Sequence, residues 1–200
     1  MVGTIAPVVY RNSPLGKYAW VKSAAAYTLG SVVGGLVTGW ILGVLGRSAP
    51  SSPHQGLLLY LISFLAFAYS LHEFGFITLP HPQIKQQVPE HWRRRFHPYI
   101  TAALFGILLG TGFTTFIPTA TYYIIGLVAL VHRSPFLGAL IFAIYGLTRS
   151  SLLWPLSRLA TNFEMVELLT NYMDLTKPIM RQFNGFALAI LSAFLIGTYL

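Results

Sequence analysis

Five long stretches nearly empty of charge constrain this chain more than any other feature: residues 23–46, 56–77, 99–131, 136–156 and 183–200. A helix rises about 1.5 Å per residue, so roughly 20 apolar residues cross the hydrocarbon of a bilayer. Each stretch meets or approaches that length. Composition closes off the soluble alternative. The 200 residues are 54% hydrophobic and 9% charged, against about a quarter charged in soluble domains, and that is too few charged side chains to cover the exterior of a domain this size. The expected fold is all-α: a single polytopic transmembrane helical bundle over residues 1–200.

The basic residues give this bundle an orientation. If the third stretch crosses once, Arg11, Lys17, Lys22, Lys85, Arg93, Arg94, Arg95, Arg158, Lys177 and Arg181 fall on one side, and only Arg47 and Arg133 on the other. Splitting that stretch at Pro118 weakens the bias to eight against four. Lys and Arg collect on the cytoplasmic side, so five spans are expected, with the N-terminus cytoplasmic and the C-terminus outside. The formal charge of +8 therefore reads as an orientation signal, and no nucleic-acid partner is expected. The first 20 residues hold no apolar run of about 7–15 residues, so the first span is expected to serve as the targeting signal. Loop 78–98 is cytoplasmic in this reading. It carries Pro80, Pro82, Pro89 and Pro98 beside Trp92 and the three arginines, a density of proline that disfavours helix. Residues 162–175 place Phe163, Val166, Leu169 and Met173 on one helical face with Glu164, Glu167 and Asp174 off it, which predicts an amphipathic helix on the inner surface.

Sliding the chain by 76 residues aligns Gly30 with Gly106, Gly34 with Gly110, Thr38 with Thr114, Tyr69 with Tyr145 and Leu71 with Leu147. The same offset superposes Glu73 on Arg149. Ionisable groups inside spans are costly and usually pair, so Glu73 and Arg149 are a candidate intramembrane pair. Glycines at four-residue spacing allow helix backbones to approach closely. Gly30, Gly34, Gly35, Gly39 and Gly43 are accordingly read as helix-packing positions. Gly106, Gly110, Gly112, Thr114, Thr115 and Pro118 form a candidate broken-helix site in the third span, because glycine and proline lower the cost of unwinding.

The motifs of chemistry are missing. The sequence contains no phosphate-cradling glycine loop, no HExxH and no intelligible Ser, His and Asp set, so neither catalytic nor metal-ligating residues are assigned. With no cysteine, it has no disulfide or thiolate. His72 falls at the inner end of the second span and His132 at the outer end of the third, too far apart in depth to share a haem. No cofactor is expected, and bound lipids are.

The run Gly106, Gly110, Gly112, Thr114 and Pro118, followed by Tyr145, Gly146 and Leu147, resembles the second half of the CcdA and DsbD-type transmembrane family, within the LysE-like group. The resemblance covers about a quarter of the chain. It implies a scaffold equivalent to the last five spans of that family. It also implies a divergent member without the family's redox function, because those proteins use two membrane cysteines and this chain has Thr and Ile where one would precede Pro118. Thiol-disulfide exchange needs a thiolate.

The expected function is that of a non-catalytic multi-pass membrane protein, an accessory or structural subunit packed against other membrane-protein subunits in a larger complex. A bacterial cytoplasmic membrane is the expected location. The alternative is a small-solute transporter of LysE-like type with its site at the broken third helix, and a degenerate thiol-redox relative comes third.

Overall fold

The computed structural model describes residues 19–49, 55–80, 96–112, 120–151, 154 and 163–199. Those residues form six helices and no strand: α1 Ala19–Ser48, α2 Gln55–Phe74, α3 Pro98–Thr111, α4 Thr121–His132, α5 Pro135–Ser151 and α6 Phe163–Tyr199. Among the described residues, three helical segments are long and apolar enough to cross a membrane: Val21–Ser48, Gln55–Phe74 and Thr176–Thr198. Two shorter apolar helices, Tyr99–Thr111 and Thr121–His132, come from the third apolar stretch.

Three boundaries differ from those read in the sequence. The second span ends at Phe74 rather than residue 77. Gly75 takes φ 86°, and the amides of Gly75 and Phe76 bond back to the carbonyls of His72 and Leu71 at 3.0 Å each. This paired closure around a left-handed glycine stops the helix. The third stretch is two helices, α3 closing at Gly112 with φ 68° and ψ −22°; Pro118 lies outside the described residues. The amphipathic segment and the last span are one 37-residue helix, with Pro178 inside it. Its backbone is helical from Phe163, while the side chains of 163–175 lie outside the described set.

The chain divides into two compact units. The first comprises Met1–Thr38, Lys85–Phe116 and Phe142–Leu175, and the second Gly39–Ile84, Ile117–Ile141 and Thr176–Leu200. Helix α1 supplies residues to both, and in each its glycines meet a partner backbone.

In the first unit, Gly30 and Gly34 lie against Ala103, Ile107 and Thr111 of α3, while Gly106 and Gly110 of α3 lie against Tyr27, Ser31 and Gly35 of α1. Partner numbers rise together, so the two helices run parallel. The glycines aligned by the 76-residue offset thus meet in one reciprocal seam, two small-xxx-small motifs face to face. Tyr27, Ala102, Phe105 and Leu109 form the buried core beside it. Gly35 abuts Phe142 of α5, and the Ser31 hydroxyl donates to the Gly146 carbonyl at 3.0 Å. Helix α5 runs antiparallel to α1 there.

In the second unit, Gly39 and Gly138 press backbone on backbone, Gly43 meets Pro135 and Gly46 meets Leu130. Arg133 caps the end of α1. Its guanidinium donates to the carbonyls of Gly46, Arg47 and Ala49 at 3.0, 3.2 and 2.6 Å, satisfying acceptors that the helix leaves open and placing a cation at the negative end of its dipole. Helices α2 and α6 run antiparallel along a seam in which Ser63, Ala66 and Ser70 face Gly185, Leu188 and Ser192, with Leu59, Ile62, Ile124 and Leu195 completing the core. Ser63 and Ser192 exchange bonds, each hydroxyl donating to the other's carbonyl at 2.9 Å. Where no water reaches, buried hydroxyls find backbone acceptors.

A methyl group at Gly39 or Gly106 would overlap a neighbouring backbone carbonyl, whereas one at Gly197 meets nothing within 4 Å. Gly39→Ala and Gly106→Ala are each expected to destabilise by about 1–3 kcal/mol through overpacking. Gly197→Ala should be neutral or gain up to about 1 kcal/mol from helix propensity. Thermal unfolding of the three purified variants in one detergent checks this ordering.

Candidate functional site

The most distinctive chemistry among the described residues is a buried carboxylate. Glu73 sits one residue before the end of α2 and its side chain is only 3% exposed. The glycine closure that ends the helix at Phe74 fixes its direction. The α6 helix faces it with Arg181 and Asn184, three residues apart and therefore on one helical face. Arg181 donates from Nε to Glu73 Oε2 at 3.2 Å and from Nη2 to the His72 carbonyl at 3.2 Å. Asn184 donates from Nδ2 to Glu73 Oε1 at 2.9 Å. Both carboxylate oxygens are thereby satisfied.

Asn184 passes the arrangement onward. Its Oδ1 accepts from the hydroxyl of Thr121, the first residue of α4. On the other side, Ser70 donates to the Gly185 carbonyl at 2.8 Å. Gly185 packs against the Glu73 side chain and the Phe74 ring. A larger residue there would hold the two helices apart and lengthen each bond to the carboxylate. The segment after α2 is tied back as well: the Leu79 amide donates to His72 Nδ1 at 2.9 Å and the Tyr69 hydroxyl to the Pro80 carbonyl at 3.0 Å.

The sequence reading paired Glu73 with Arg149, and the two residues fall in different units. Glu73 pairs with Arg181, and Arg149, in the first unit, reaches the Leu109 carbonyl at 3.5 Å. Arg181 and Asn184 were missed because Arg181 was counted only as an orientation signal. The three-residue spacing of Arg181 and Asn184 beside the small Gly185, opposite Ser70 and Glu73, is the sequence signal that marks this seam.

Of the broken-helix residues, Gly106 and Gly110 are closed against α1, with no room beside them even for a methyl group. Gly112 adopts the left-handed cap of α3. Thr114, Thr115 and Pro118 lie outside the described residues. No group of three or more His, Asp or Glu side chains suited to a metal occurs among the described residues.

Comparison with known proteins identifies relatives of another kind from the one anticipated. The chain is 30% identical over 142 residues to the methylamine utilization protein MauF of Paracoccus versutus, 68% of this chain and 52% of that one. It is 33% identical over 123 residues to MauF of Methylobacillus flagellatus, 58% of this chain and 44% of that one. MauF of Methylorubrum extorquens is 30% identical over 143 residues, 68% of this chain and 50% of that protein. The chain spans about half the length of the curated relatives it matches. No protein-family model and no solved structure matches it. These relatives overturn the CcdA and DsbD-type resemblance, and none is named as a transporter. The glycine run that suggested that kinship is shared by close-packed membrane helices of any descent: Gly106 and Gly110 serve the α1 seam.

The site makes an asymmetric prediction. Arg181→Gln strips a buried carboxylate of its cation and is expected to cost about 3 kcal/mol, the low end of the range for a broken buried pair because Asn184 still donates. Glu73→Gln leaves an arginine that is 53% exposed and able to turn to water or headgroups, and should cost about 1 kcal/mol. Detergent melting of both variants measures the difference, and equal losses would contradict it.

Proposed function

We propose that this protein is a non-catalytic, multi-pass membrane protein acting as an accessory subunit in methylamine utilization, packed with other membrane proteins in a bacterial cytoplasmic membrane. The observation that carries this reading is the similarity over 142 residues to a protein named for methylamine utilization. Its counterparts in two further organisms bear the same name.

The chemistry of the chain supports an accessory role. Buried hydroxyls among the described helices hold helix to helix, as with Ser31, Ser63, Ser70 and Ser192, or bond back onto their own helix, as with Thr38 and Ser150. Glu73 has both oxygens occupied. Large apolar side chains face outward on α6, with Phe183, Phe186, Ile190 and Phe194 all at least 59% exposed. Lipid tails or neighbouring transmembrane helices are the surroundings such a face requires.

Five crossings with the N-terminus inside fit this role. The ten-to-two division of basic residues favours them, and so do the antiparallel course of α2 against α6 and the parallel course of α1 with α3.

Deleting the gene from its host should abolish or severely slow growth on methylamine while leaving growth on succinate unchanged, with restoration by the wild-type chain. Undiminished growth on methylamine overturns the proposal. Independently, a tag ahead of Met1 is expected to resist labelling from outside the cytoplasmic membrane and one after Leu200 to accept it. Equal labelling of both ends removes the five-span topology.

A further inference from the structure

Helix α4 begins at Thr121 with buried neighbours on both sides, Ala120 and Tyr122 being 1% and 2% exposed. The first turn of a helix leaves amides without helical acceptors, so what holds Thr121 decides how firmly this end is set. Its hydroxyl donates to Asn184 Oδ1. The direction of that bond is not a free choice. A carboxylate is an acceptor only, so Glu73 obliges Asn184 to turn its Nδ2 toward it. Asn184 Oδ1 is then left facing Thr121, and only a donating hydroxyl fits. The charge on Glu73 is in turn sustained by Arg181 Nε at 3.2 Å. Arg181 is half exposed at one end of this chain of bonds, Glu73 is buried in the middle, and Thr121 stands at the other end. Three helices are linked by hydrogen bonds whose polarity is dictated throughout by one negative charge.

We infer that Arg181, Glu73, Asn184 and Thr121 form a conformational link, in which the ion pair at the end of α2 sets, through the Asn184 amide, how firmly the N-terminus of α4 is held. Neutralising Glu73 removes the reason for the amide's orientation. Asn184 then gains an alternative in which Nδ2 donates to the Thr121 hydroxyl, so that the bond to α4 is no longer held to one direction and the hydroxyl proton loses its acceptor. The link lets a disturbance at the half-exposed arginine be felt at the buried start of another helix through the turning of one side-chain amide. Asn184 is the positioning residue.

Amide hydrogen exchange over residues 121–125, measured on the full chain in lipid nanodiscs, reads the device directly. Thr121→Val, which keeps the shape and removes the hydroxyl, should speed exchange about fivefold, the equivalent of one neutral hydrogen bond. Thr121→Ser should restore wild-type rates. Glu73→Gln, which leaves every residue of α4 unchanged, should speed the same amides severalfold. The double variant should exchange no faster than about fivefold, since both changes break one linked series. Effects that multiply to about 25-fold, or a Glu73→Gln protein with unchanged exchange over 121–125, overturn the inference. Should Glu73→Gln fail to accumulate, Asn184→Leu takes its place, because it leaves the ion pair intact and cuts the series at its centre. Thr121→Val must then add nothing in that background, and any additional acceleration overturns the link.

Discussion

Two apolar helices in hydrocarbon gain nothing by hiding from the solvent, because lipid tails are as apolar as they are. Association rests on close approach, and here α1 provides it. Gly30 and Gly34 open one face to α3, and Gly35, Gly39, Gly43 and Gly46 open others to α5 and α4. At contact this tight, dispersion between backbones and the buried Ser31 to Gly146 bond replace the burial term that folds a soluble protein. The α2–α6 seam obeys the same rule with serine in place of much of the glycine. Ser63 and Ser192 fill the space that two larger side chains would contest and bond across it. The outward faces need only be apolar, and they are.

The buried carboxylate is the exception that this economy has to accommodate. A charge in low dielectric is tolerable only with a counterion and with its remaining lone pairs satisfied. Glu73 meets both conditions within one turn of α6, from Arg181 and Asn184. Such a pair contributes little net stability against an apolar alternative, while loss of the cation is costly. What it contributes is geometry. The cluster fixes the register of α6 against α2 and, through Asn184, reaches α4.

The all-helical class, with helices long and apolar enough to cross a membrane, was legible because apolar length is a property of local sequence. The glycines of α1 were legible as packing positions because their four-residue spacing has one steric meaning, though not which helix each would meet. Helix ends were less legible. Gly75 stops α2 through a positive φ that the surrounding apolar run conceals, and the amphipathic segment and the last span, read as separate helices, run on as one through Pro178. The partner of Glu73 was illegible for a different reason. An ion pair between helices more than 100 residues apart depends on which faces meet, and a weak internal repeat pointed to Arg149 on the strength of alignment alone. The mistaken kinship has the same origin: Gly, Thr and Pro in a transmembrane segment describe how a helix packs or bends, and they say little about descent.

A scaffold held by small-residue seams, with its polar groups turned to structure and its large apolar side chains turned outward, is suited to occupying a place among other membrane proteins. The relatives that the chain resembles are named for methylamine utilization. The measurement that bears most directly on this account is isolation of the protein at native abundance from methylamine-grown cells in mild detergent, followed by native mass spectrometry of the intact species. The account predicts a stoichiometric complex containing at least one further membrane protein that is itself required for growth on methylamine. A lone monomer or homodimer, recovered intact with its lipids, would contradict it.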